Sequence, residues 1–148
     1  MNRTIEVQKM KKVKIIGKNY YPKNIRSTPD NIVTTGVEKN KCTNNAKLLI
    51  DNNIEIDIKY VEGFMLIYQN GIYRAVAHAW NIVDNLHFDT SAEVFEKTTN
   101  LDIEHSKQYF PIFISDVNSL PKLQDGILPF SERFIPYIKV MGKLYPTK

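Results

Sequence analysis

Cysteine is almost missing from this chain: Cys42 is the only one in 148 residues. One thiol excludes an internal disulfide and leaves three roles: a buried structural thiol, an intermolecular link or a nucleophile. Long apolar runs are missing as well. None approaches the ~20 residues of a membrane-spanning helix, and the N-terminus carries scattered lysines in place of an apolar signal core. The expected setting is therefore cytoplasmic, with no membrane partner. The six glycines are dispersed, so there is no phosphate-cradling loop and no dinucleotide fingerprint. Paired C-x-x-C or H-x-x-x-H spacing is absent too. That argues against a metal site made from Cys42, His78, His87 and Asp89. No cofactor is expected.

The chain does have the composition of a folded protein, 43% hydrophobic and 24% charged. Its length fits a single domain, 1–148, with one hydrophobic core. Positive charge is concentrated at the start. Residues 1–30 carry Arg3, Lys9, Lys11, Lys12, Lys14, Lys18, Lys23 and Arg26 against Glu6 and Asp30. Such a basic arm could meet an acidic partner. No recognised nucleic-acid motif accompanies it, so a nucleic-acid partner is not expected. Residues 5–16 suggest one strand or a frayed arm, and Asn19 to Asn31, with Pro22 and Pro29, an irregular connection.

From residue 36 onward the pattern sharpens. Cys42, Ala46, Leu49 and Ile50 fall on one face of a helix predicted over about 40–52, with Asn40 as its N-cap. Cys42 then occupies the first turn, where backbone N–H groups and the helix dipole favour a thiolate and can stabilise an oxyanion. Glu55 to Gln69 reads as a long strand, interrupted at Glu62-Gly63 by a bulge. Asn70-Gly71 is a hairpin signal, and Ile72 to Val83 returns antiparallel. Ala75, Ala77 and Ala79 make one face of that strand small enough for the Cys42 helix to lie close. Thr90-Ser91-Ala92-Glu93 has capping-box spacing for a short helix to about Lys97. Tyr109 to Ile114 is an edge strand because of Pro111. The tail, which could hold a short helix after Ser131, wraps the surface on anchors such as Phe130, Phe134 and Tyr137. The predicted class is α+β, a cysteine-bearing helix packed on a small antiparallel sheet of four to five strands.

Chemistry concentrates in residues 78–90, His-Ala-Trp-Asn-Ile-Val-Asp-Asn-Leu-His-Phe-Asp-Thr. Asp84-Asn85 tolerate the positive φ of a tight turn. A two-residue loop there pairs Val83 with Leu86 and sets Trp80 opposite Asp89. His78 and Asp89 become diagonal neighbours on one face, roughly 7–8 Å apart at Cα. An odd loop would put them on opposite faces. Cys42 is then a candidate nucleophile, His78 its base, and Asp89 the carboxylate that orients the imidazole. Asp89 could also cap the following helix. His87 shares the face of His78 and is the rival base. Trp80 reads as core packing before substrate platform. Glu62 is a bulge residue that could line the site, and Asn81, on the other face, is a lesser third-member candidate.

Cys42 at a helix start, followed by His78-Ala79-Trp80 on a strand and Asp89-Thr90 ending the next, resembles the transglutaminase-like branch of the papain-type cysteine enzymes over residues 36–90. Lys41 and Thr43 stand where that family often has an aromatic neighbour, and the proline common between Asp and Thr is missing. Tyr60-Val61-Glu62-Gly63 is similar to a stretch in small uncharacterised proteins of this type. The resemblance implies a papain-like/transglutaminase-like core and cysteine-dependent acyl transfer, most simply hydrolysis of an amide, isopeptide or related acyl bond in a peptide, protein or small amide substrate. The alternative is a catalytically inactive binding or interaction protein that keeps the fold.

Overall fold

The computed structural model describes residues 13–15, 18–69, 72–99 and 108–116. The Asn70-Gly71 turn, the first part of the basic arm and the tail from residue 117 lie outside them. The elements in order are β1 (Val13–Ile15), β2 (Lys18–Tyr20), β3 (Ile25–Arg26), α1 (Cys42–Asn52), β4 (Ile58–Gln69), β5 (Ile72–Val83), β6 (Leu86–Phe88), α2 (Thr90–Thr99) and β7 (Gln108–Ser115). The class is α+β, as expected. The main sheet is mixed, however, not purely antiparallel: its order is β3-β6-β5-β4-β7, with β3 parallel to β6. β1 and β2 form a separate antiparallel pair.

The β5–β6 turn is the two-residue loop that the Asx pair calls for. Asp84 and Asn85 both take positive φ, 49° and 61°, as a type I′ turn requires. Val83 pairs with Leu86, Ile82 with His87 and Asn81 with Phe88.

Residues 19–31 are more than an irregular connection. Ile25 pairs with His87 of β6, while the Lys23 N–H donates to the Tyr109 carbonyl of β7 at 2.8 Å. One short segment thus meets β6 towards one side of the sheet and β7 at the other, so the sheet curls toward closure. The inner face holds Val61, Met65, Trp80, Ile82 and Tyr109, with Ile25 packed against them. The outer face carries Ile58, Tyr60, Ala79, Val83 and Phe88, and α1 covers it with Ala46, Leu49 and Ile50. Ala79 is the small residue that lets the helix approach.

Two capping expectations are corrected, and the expected bulge at Glu62-Gly63 is found, with its extra residue on the neighbouring strand. Asn40 does not cap α1: it sits at φ 64°, and Lys41 holds the cap position without a side-chain hydrogen bond. The bulge at Glu62-Gly63 lies between β4 and β7. Glu62 pairs with Phe113 and Gly63 with Pro111, so the extra residue is Ile112. Thr90 does not cap α2. Asp89 accepts the Ala92 N–H at 3.0 Å, and Glu93 reaches instead to Thr28, accepting from its N–H at 2.9 Å and its hydroxyl at 2.8 Å. Pro111 does lie on a terminal strand of the sheet order, where a missing N–H is tolerated.

Gly63 is required by the spacing of β4 and β7. A Cβ there would stand 2.0 Å from the Phe110 carbonyl oxygen and 3.0 Å from the Trp80 ring. Backbone cannot swing aside as a flexible side chain can. Gly63→Ala is therefore expected to destabilise the fold by about 3 kcal/mol or more, at or beyond the usual range for overpacking. Thermal and denaturant unfolding check this; an unchanged midpoint would contradict the close approach.

Candidate functional site

β6 is only three residues long, and its end makes the site possible. A type I′ turn is closed by a hydrogen-bonded pair, so Val83 and the alternate residues Asn81 and Ala79 point their N–H and C=O groups toward β6. Asn81 meets Phe88 there. After Phe88 the chain turns into α2, and the sulfur of Cys42, the first residue of α1, takes the next place along the edge. The Ala79 N–H donates to it, and His78 is its side-chain hydrogen-bond partner. A residue from the outer-face helix thus reaches the inner-face histidine around the open edge of β5.

His78 and Asp89 stand on the inner face in the register expected from the even loop. His78 Nε2 is 2.7 Å from Asp89 Oδ2. With Nε2 committed to the carboxylate, Nδ1 is the ring nitrogen left for Cys42. Asp89 is 2% exposed and accepts three donors. Besides His78, the Tyr109 hydroxyl donates to Oδ2 at 2.7 Å and the Ala92 N–H to Oδ1. Orienting His78 and capping α2 are therefore compatible roles for one residue.

The charges reinforce one another. For Cys42, burial is the largest single influence and pushes the thiol up. The His78 hydrogen bond and charge, with the Ala79 N–H, outweigh it, and the thiol is held below its ordinary value. For His78, burial pulls the imidazole down, but the Asp89 charge and hydrogen bond, with Cys42, push it up to about 10. Burial would raise Asp89, yet His78, Tyr109 and the Ala92 N–H hold it below the usual carboxylate range. This favours an imidazolium between two anionic partners, a thiolate and a carboxylate.

The other candidates separate cleanly. His87 does not compete for the base position: its Nδ1 accepts the Trp80 indole N–H at 2.9 Å, and burial followed by the Lys23 charge lowers it to about 4. Trp80 is core, 1% exposed, with its ring centroid 6.2 Å from that of His78. Asn81 is not a third member. Its side chain donates to the Ala46 carbonyl at 2.9 Å and ties α1 to β5. Glu62 is completely buried and accepts the Tyr60 hydroxyl at 2.5 Å, a distance typical of a charge-assisted bond. Burial first, then Glu62 and the Cys42 charge, hold the Tyr60 phenol in its protonated form far above its ordinary range. Glu62 therefore stands on the Cys42 side, through Tyr60.

Tyr109 is the residue that sequence reasoning did not single out for the site. No pattern near Tyr109 links it to residue 89, because the contact runs across the curled sheet. The described residues contain no group of three or more His, Cys, Asp or Glu placed to hold a metal. They also contain no helix long and apolar enough to cross a membrane. The chain matches no known protein-family model, no curated protein and no solved structure.

An unfolded histidine titrates near 6.5, whereas His87 is held at about 4. Its neutral form thus contributes stability that is fully present above pH ~6.5 and is lost as pH falls through about 4. His87→Gln, which can still accept from Trp80, is expected to flatten this loss. Melting temperatures at about pH 7 and about pH 4.5 test it; an equal drop in both proteins would contradict the assignment.

Proposed function

We propose that this protein is a cysteine-dependent acyl-transfer enzyme that hydrolyses an amide, isopeptide or related acyl bond through a thioester. The observation that supports it is the convergence of Cys42, His78 and Asp89, from α1, β5 and the end of β6, on one hydrogen-bonded chain, half-buried at Cys42 and buried at the other two. The same order and roles support a papain-like/transglutaminase-like core. A thiolate of this kind persists in a reducing compartment, which favours the cytoplasm.

In the proposed reaction, the Cys42 thiolate attacks the substrate carbonyl carbon and forms a C–S bond. Backbone N–H groups in the first turn of α1 are suited to stabilise the oxyanion. The His78 imidazolium gives its Nδ1 proton to the leaving nitrogen as the C–N bond breaks. Neutral His78 then takes a proton from water, whose oxygen attacks the thioester carbonyl, and the C–S bond breaks to restore thiolate and imidazolium. Asp89 stays ionised and fixes the ring through Nε2. Water is the default second acceptor, which favours hydrolysis over cross-linking.

The rival reading, an inactive binding protein, draws on a different observation. A cavity of about 570 Å³ opens at the other end of α1, lined by Ile50, Ile54, Ile56 and Ile58 with Asp51 and Glu55. Iodoacetamide labelling separates the two. The enzyme reading expects rapid modification of Cys42 with a midpoint well below the ~8.5 of a free thiol. His78→Ala is expected to remove that reactivity, and His87→Ala to retain most of it. Labelling that stays slow until the protein is unfolded would favour the binding protein.

A further inference from the structure

We propose that Tyr109 is a positioning residue of this site. By donating its hydroxyl to the same Asp89 oxygen that takes His78 Nε2, it keeps the carboxylate aimed at the imidazole and limits how tightly His78 can bind to it. The inference rests on the acyl-transfer reading for its meaning, and on direct geometry for its content. Tyr109 is 2% exposed. Its phenol oxygen is 2.7 Å from Asp89 Oδ2, and its ring meets Trp80 edge-on with centroids 5.1 Å apart. The backbone is pinned as well, by pairing with Met65 and by the bond from the Lys23 N–H. The phenol is therefore delivered from a residue paired on both sides, while α2 donates to the other Asp89 oxygen.

Two donors on one carboxylate oxygen compete for its electron density. Tyr109 stabilises Asp89 as an anion and makes it a weaker acceptor for His78. His78 consequently keeps its cation, but releases the Nδ1 proton more readily than it would beside an unshared carboxylate. Leaving-group protonation needs that balance, because a base held too strongly by its carboxylate is a poor acid. Among the described residues, the other charged or titratable groups around the pair are Cys42 of α1, Glu93 of α2, whose charge acts on the Tyr109 phenol, and Tyr60 with Glu62 of β4 on the Cys42 side. Across Trp80 stand His87 and Lys23. Tyr109→Phe leaves all of them in place and removes one hydroxyl.

The test follows iodoacetamide modification of Cys42 from about pH 4 to about pH 11 in the wild type, Tyr109→Phe and Phe110→Leu, with a thermal melt of each. Phe110 lies next in β7, is fully buried and stacks on Phe64; its truncation controls for a purely structural loss. In Tyr109→Phe, the upper step of the profile, where the imidazolium loses its proton and frees the thiolate, is expected to move to higher pH by up to about one unit. Phe110→Leu is expected to lower the melting temperature and leave the step in place. An unmoved or lowered step in Tyr109→Phe, or an equal shift in both variants, would overturn the proposal. If wild-type Cys42 titrates as an ordinary thiol, the acyl-transfer reading fails by itself. The role of Tyr109 is then read from the ¹⁵N resonances of the His78 ring, assigned by their loss in His78→Gln. An upward shift of that titration in Tyr109→Phe upholds it, and no shift overturns it.

Discussion

The rest of the site depends on the buried carboxylate of Asp89. It receives an imidazole N–H from β5, a phenol O–H from β7 and a backbone N–H from α2. An isolated charge at 2% exposure would be strongly unfavourable in a folded protein. Three convergent donors make it tolerable, and each donor is held in turn by the group it satisfies. The carboxylate therefore ties together three segments, two strands and the start of a helix. That network also explains why two nearby histidines have opposite characters: His78 has a carboxylate to share its proton, whereas His87 has an indole donor and a lysine.

The curled sheet supplies the frame for this network. If the sheet were flat, β7 and the end of β6 would be separated by β4 and β5, and Tyr109 could not reach Asp89. Curling, fixed by the contacts of Lys23 with β7 and of Ile25 with β6, brings them face to face. Early departure of β6 opens the edge of β5 for Cys42. Shortness in one strand and closure by another segment are thus equally necessary to the geometry.

Local chemistry was legible in the sequence wherever it was governed by near neighbours. The Asp84-Asn85 turn dictated the register, which dictated that His78 and Asp89 share a face. The apolar spacing of Ala46, Leu49 and Ile50 dictated the packed side of α1. What escaped was set by distance. Nothing in residues 23–26 distinguishes a closing segment from a loop, because β3 has two residues and its partners lie more than sixty positions away. Competition between short side chains was also hidden. Asp89 and Thr90 both suit a cap, and only the path of Thr28 past Glu93 decides between them. His87 could be ranked against His78 by context, but its neutral, indole-bound state depends on where the Trp80 N–H points.

Gly63 acquires a different meaning in this setting. The near contact it permits with the Phe110 carbonyl sets how far β7 stands from β4, and Tyr109 is the residue just before Phe110. A hydrogen on an α-carbon, where other residues carry a side chain, thereby acts as a gauge block for the reach of the phenol. Its place in the chemistry is metric: it fixes a length at the candidate site without contributing an atom to it.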